Sequence, residues 1–141
     1  MNAFDFQFNL AVSGWRDLSS YTFQGPTVDQ MDHYLYLALD RDLENPSLDA
    51  YAGSRIDLIT GSLRNIETLQ NGALYVGQMP AKELVLRWMP EERLVRYKRY
   101  LFVVKDSLGF TFNCDFTKKS FALLSDQMTQ IVANLINPYW D

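Results

Sequence analysis

The last third of the chain alternates. Val95, Tyr97, Arg99, Leu101 and Val103 take one parity, and Leu94, Arg96, Lys98, Tyr100, Phe102 and Val104 take the other, the period-two signature of a strand. Asp106 to Gly109 supplies turn residues, after which Phe110, Phe112, Cys114 and Phe116 alternate with Thr111, Asn113 and Asp115. The pattern predicts a half-buried antiparallel sheet over Leu84 to Phe116 with one face in the core. The opposite face is polar in the last strand but carries aromatic and aliphatic groups in the strand before, which leaves a surplus apolar surface.

Upstream, Phe4, Phe6 and Phe8 alternate with Asp5, Gln7 and Asn9 and predict a first strand, broken at Ser13-Gly14. A second strand is expected over Leu18 to Gln24, ended by Gly25-Pro26. A third, His33 to Asp40, sets Leu35, Leu37 and Leu39 against Tyr34, Tyr36 and Ala38. Ser47 reads as the N-cap of a helix running to about Leu63, with Pro46 directly before it. Arg64 to Val76 returns to strand, and Asn71-Gly72 inside it marks either a hairpin turn or a bulge. Gly77 to Pro80 then turns into a strand over Ala81 to Trp88, and Met89 to Glu92 turns into the alternating block. Finally, Phe121, Leu124, Met128, Ile131, Val132 and Leu135 recur at three- and four-residue spacing, predicting an amphipathic helix over Lys118 to Ile136 that Asn137-Pro138 stops. Each helix carries one apolar stripe. The expected architecture is therefore α+β: an antiparallel sheet of six to seven strands with two main helices on one face, the far face left free.

Composition narrows the function classes. At 141 residues the chain is one domain, 1–141, large enough for a core without disulfide or metal. A net charge of -4 and a pI near 4.9 argue against a phosphate-backbone partner. Arg93, Arg96, Lys98 and Arg99 do cluster, but their parities split them between two faces. Met1 to Leu10 has neither a basic nor an apolar signal region, so a cytoplasmic location is expected. No apolar run is long enough to span a bilayer, and direct membrane insertion is not expected. The single cysteine, Cys114, falls at a core parity and reads as a small buried hydrophobe.

Candidate chemistry is sparse. The one imidazole, His33, sits at a strand start beside Asp32, and a structural role is expected for it. Glu91-Glu92 and the Asp40/Asp42 pair are carboxylate pairs, but Arg93 and Arg41 beside them make solvated charges or loop ion pairs the plainer reading. No metal-ligand spacing and no phosphate loop is present, so no cofactor, no metal and no catalytic residue is expected. Trp15-Arg16-Asp17 reads as a loop between two strands, pinned by the tryptophan, with Asp17 bonding backbone amides.

The order of signals carries a resemblance. A Phe-rich first strand precedes Trp15-x-Asp17 and a strand ending in Phe23. A strand closing in Leu39-Asp40-Arg41-Asp42 and a helix start at Leu48 to Tyr51 follow, then Pro80-Ala81 after Gly77 and a strand ending Leu86-Arg87-Trp88. Together these resemble the DcrB/PsbP-like fold, and more narrowly the Eag-type effector-associated chaperones of type VI secretion systems, over almost the whole chain. One departure is Gly77 to Ala81, a residue longer than the family's Gly-x-Pro-Ala turn. The resemblance implies a homodimer that cradles the N-terminal transmembrane helices of a secreted effector of the PAAR/Rhs class before export, and no enzymatic activity. Burying about 1,000 Å² of a guest's apolar area would return roughly 25 kcal/mol gross, before ordering and association costs.

Strand parity assigns Tyr21, Phe23, Leu35, Leu37, Leu39, Phe110, Phe112 and Phe116 to the helix-covered core. The opposite parity yields the expected effector-helix groove: Ser20, Thr22, Tyr36 and Ala38, joined by Val95, Tyr97 and Leu101. Small and hydroxyl-bearing groups there would let an apolar helix approach closely. The alternative is a small-ligand or lipid-binding protein of the same fold, with the open face as its pocket.

Overall fold

The computed structural model describes Phe4, Leu10 and residues 14–137. Most of the first predicted strand and the stop at Pro138 lie outside the described residues. The remaining elements are β1 (Ser20–Val28), β2 (Met31–Asp40), α1 (Leu48–Ser62), β3 (Ile66–Val76), β4 (Met79–Glu91), β5 (Leu94–Lys105), β6 (Leu108–Phe116) and α2 (Lys118–Ile136). The six strands form one antiparallel sheet in the order β1-β2-β6-β5-β4-β3.

α1 begins after the expected cap, Ser47, and α2 spans the expected Lys118 to Ile136. The Ser47 side chain accepts from the Ala50 amide at 3.3 Å. Thr117 and Ser120 form a reciprocal capping box at the start of α2, with bonds of 3.0 and 2.9 Å. Each arrangement satisfies amides that the first helical turn would otherwise leave without partners.

The helices do not share a face, which corrects the expected placement. Leu35, Leu37, Leu39, Leu101, Val103, Phe110, Phe112, Cys114 and Phe116 pack with Leu124, Met128, Val132 and Ile136 of α2. Leu84, Leu86, Tyr100 and Phe102 pack with Tyr51 and Ala52 of α1. Leu101 and Phe102 are neighbours on one strand, so these two clusters lie on opposite sides of it. The physical reason is that β4 and β5 are apolar on both parities and would expose an oily surface if only one face were covered. The eight residues assigned by parity to the core do lie in or against the α2-side cluster.

Turns are tighter or differently placed than expected: β4 runs from Met79 to Glu91, taking in Pro80, Met89 and Pro90. Asn71-Gly72 makes no hairpin: both residues pair with β4, opposite Leu84 and Glu83, and the register shift falls between Thr68 and Gln70 instead. β1 continues through Gly25-Pro26 by a register shift between Gln24 and Thr27. Between β5 and β6, Lys105 pairs with Leu108, so only Asp106 and Ser107 turn and Gly109 belongs to the ladder.

Candidate functional site

α1 covers β4 and β5 and leaves the same face of β1, β2 and β6 open. The register builds that floor row by row. Ser20 pairs with Ala38 and Ala38 with Thr111; Thr22 pairs with Tyr36, Tyr36 with Asn113, and Asn113 with Tyr100. Directly paired residues share a face, so Ser20, Thr22, Tyr36 and Ala38 lie together on it, all exposed.

The other three residues expected in this groove lie on the reverse side. Leu101 pairs with Phe112 and is fully buried under α2. Tyr97 pairs with Phe116 and stacks on Phe121 of α2, ring centroids 5.8 Å apart. Val95 shares their parity and is half-buried. Without these three, the floor is lined by hydroxyl, amide and tyrosine groups and the Ala38 methyl, with no large aliphatic side chain among its paired rows.

Three strands at about 4.8 Å spacing give a floor roughly 14 Å wide, and an α-helix with its side chains is about 10–12 Å across. The seven residues from Tyr34 to Asp40 run about 23 Å, the length of about 15 helical residues. The trough therefore accommodates one helix.

At the end of β2 it deepens into a cavity of about 1030 Å³, lined on the α1 side by Tyr51, Ser54, Arg55 and Leu58, and on the other by Leu10, Trp15, Arg16 and Asp17. Trp15 is 71% exposed and Leu58 62%. Trp15 thus does not pin the loop as the sequence suggested. With Leu10 it forms an apolar rim above a polar floor.

The cavity's base is a tight polar cluster. Asp40, expected to be a solvated or loop charge, is buried. It pairs with the Arg55 guanidinium and accepts from the Tyr51 hydroxyl at 2.6 Å. Since the tyrosyl proton goes to the carboxylate, Thr111 donates to Tyr51 Oη at 2.7 Å. Asp17 accepts from the Ser19 hydroxyl and pairs with Arg41 at 3.3 Å. Tyr51 bridges helix, strand end and sheet floor, and its fit needs Gly109. A Cβ at that position would stand 2.5 Å from Tyr51 Cε1 and 2.6 Å from Cζ.

Burial and the Asp115 charge push the Tyr100 hydroxyl up from 10.0 to about 12, and the same two causes push the Cys114 thiol up to about 12. Burial, followed by the Asp40 hydrogen bond, raises Tyr51 as well. Each group is neutral when protonated and is raised above its unfolded value. Its stabilisation is therefore complete below the unfolded pKa and is lost as pH climbs through the folded one. The thermal midpoint should vary little between pH 7 and about 8, then fall from about 9, where the unfolded thiol ionises, to about 12, a drop that Tyr100→Phe would soften. An unchanged midpoint at pH 11 would contradict the burial argument.

His33 is buried and locked. Its Nδ1 faces the Pro26 carbonyl at 3.0 Å, which can only accept, so that nitrogen carries the proton. Nε2 is hydrogen-bonded to the Ser120 hydroxyl at 2.8 Å. Ser120 is itself fully buried, so this pair ties β2 to the start of α2 and offers no reachable nucleophile. Among the described residues, no group of three or more His, Cys, Asp or Glu side chains is placed to hold a metal. Nor is any helix among them long and apolar enough to cross a membrane.

Compared by sequence, the chain matches no protein-family model and no curated protein. Its fold does have neighbours. The crystal structure of PA94, a protein of unknown function from Pseudomonas aeruginosa, aligns with a TM-score of 0.69 at 13% identity, covering 86% of this chain and 84% of that one. The solution structure of cyanobacterial PsbP from Synechocystis sp. PCC 6803 aligns at 0.52 and 13% identity, over 82% and 79%. The Ran-binding protein Mog1p of Saccharomyces cerevisiae aligns more loosely, at 0.46 and 9% identity, over 75% and 64%. The first two establish a PsbP-like fold.

Proposed function

We propose that the chain is a non-catalytic, cytoplasmic chaperone or adaptor. In this reading it acts as a homodimer and shelters the N-terminal transmembrane helices of a type VI secretion effector of the PAAR/Rhs class until export. The observation that supports this best is the face over β1, β2 and β6: one helix wide, uncovered by α1, and ending at a cavity lined by exposed Trp15, Leu58 and Leu10. The floor favours a particular guest. Ser20, Thr22 and Ala38 are exposed and small enough for close backbone approach, and Ser20 and Thr22 bring hydroxyls that satisfy polar groups on the guest, as small residues do between helices in lipid. The rim supplies the apolar contact that the floor lacks.

Ala38 lies at the centre of the floor and is exposed, so Ala38→Arg plants a long cation there without disturbing the core. Co-expressed with an effector fragment carrying its N-terminal apolar segments, the parent chain should keep the fragment soluble and co-purify with it. The variant should recover less than about a tenth as much, equivalent to at least ~1.4 kcal/mol of binding, at an unchanged thermal midpoint. A fragment equally soluble alone, or equally recovered by the variant, would remove the basis of the reading.

The cavity of about 1030 Å³ favours one alternative, a small-ligand or lipid-binding protein of the same fold. Native mass spectrometry of the purified chain decides between them. A defined small molecule that Trp15→Ala releases supports the alternative, and a bare chain that captures the fragment supports the chaperone.

A further inference from the structure

The sheet does not close, so β1 and β3 each present one long side without a strand neighbour among the described residues. Such an edge offers a row of backbone donors and acceptors, and proteins blunt it with proline, charge or a bulge. β1 is blunted in this way: its register shift between Gln24 and Thr27 carries Gly25 and Pro26. β3 also has a shift, between Thr68 and Gln70, but beyond it the strand is straight. Gln70 to Val76 pairs residue for residue with Val85 to Met79, and holds no charge and no proline. Asn71, Ala73 and Tyr75 are exposed there, Tyr75 by 71%.

We propose that this edge joins a second copy of the chain, β3 to β3, antiparallel about a two-fold axis at Ala73. The segment is complementary to itself. An axis at Ala73 sets Gly72 opposite Leu74, Asn71 opposite Tyr75 and Gln70 opposite Val76, so no charges meet and neither bulge enters the ladder. Each Tyr75 ring then lies across the partner strand, covering surface that is now bare. An axis further toward the start of the strand would drive the shift at Thr68/Gln70 into the pairing, and an axis further on would leave too few straight residues. The inference specifies the surface of the homodimer proposed above and rests on that reading, though not on the identity of the guest.

Directly opposed residues of an antiparallel pair have Cα atoms about 4.5–5.5 Å apart, inside the range of about 4.4–6.8 Å that a disulfide spans. Ala73→Cys in the full chain, oxidised at micromolar concentration, should therefore give a disulfide-linked dimer. Thr22→Cys, on the strand at the opposite edge of the sheet, should give no disulfide-linked dimer, and the native Cys114 is buried. In sedimentation equilibrium the parent chain should be dimeric, and the double variant Ala73→Lys/Tyr75→Lys should dissociate at least tenfold more readily. A parent chain that is monomeric at every concentration overturns both the edge and the homodimer. A dimer that Thr22→Cys links instead, or that the lysines leave intact, overturns the edge alone.

Discussion

Arg99→Ala is expected to cost about 3 kcal/mol, the low end of the ~3–5 kcal/mol typical of removing one member of a buried ion pair. Arg99 lies on the α2 side of β5 and is buried. It donates to Glu83 Oε2 at 2.7 Å, to the Ser125 carbonyl at 2.7 Å and to Thr129 Oγ1 at 2.7 Å. One guanidinium therefore links β5, β4 and the middle of α2. Its loss takes a charged donor from the Glu83 carboxylate in a poorly hydrated layer and unties β5 from α2, although the Ser125 carbonyl still accepts from the Thr129 hydroxyl. The low end applies because the Glu83 side chain is 18% exposed and regains some water. Lysine cannot reproduce the fork and should recover little. The double variant Arg99→Met/Glu83→Leu removes both charges and should recover most of the loss in urea denaturation. If it is no more stable than Arg99→Ala, the pairing is not what the stability depends on.

Gly109→Ala is expected to cost a similar amount for a different reason. The added methyl meets the Tyr51 ring, and the ring has nowhere easy to go because Asp40 and Thr111 hold its hydroxyl. Overpacking of this kind costs about 1–3 kcal/mol, and a displaced bond to a charged acceptor about 1.5–3 more, so a total of about 3 kcal/mol is expected. Tyr51→Leu in the Gly109→Ala background should cost much less than Tyr51→Leu alone, a coupling that a double-mutant cycle measures. Additive effects would mean that ring and backbone do not touch.

Where one physical signal dominates, the sequence is a sufficient guide. The three- and four-residue spacing of Phe121 to Leu135 defines α2, and the alternation Phe110-Thr111-Phe112-Asn113 defines both sides of β6. It misleads where two signals compete. β5 is apolar on both parities, so periodicity alone cannot say which side faces which helix. The turn could have said it. A two-residue loop at Asp106-Ser107 forces Leu101 opposite Phe112 and Tyr97 opposite Phe116. Reading the turn as extending to Gly109 lost that register, and with it the assignment of Val95, Tyr97 and Leu101. Gly109 looked like turn chemistry but serves close packing, and a glycine's residue type does not distinguish the two. The Asp40, Arg55 and Tyr51 cluster was invisible for another reason: its members meet only after α1 folds back over the end of β2.

The order of the strands also sets a rule for any client with two greasy segments. The trough is centred on β2 and the uncharged edge is β3, four inter-strand steps away. Two copies joined at that edge would hold their troughs about 40 Å apart, at opposite ends of a continuous twelve-stranded platform. An extended chain advances about 3.3–3.6 Å per residue, so two segments joined by fewer than about a dozen residues could not occupy the two berths at once.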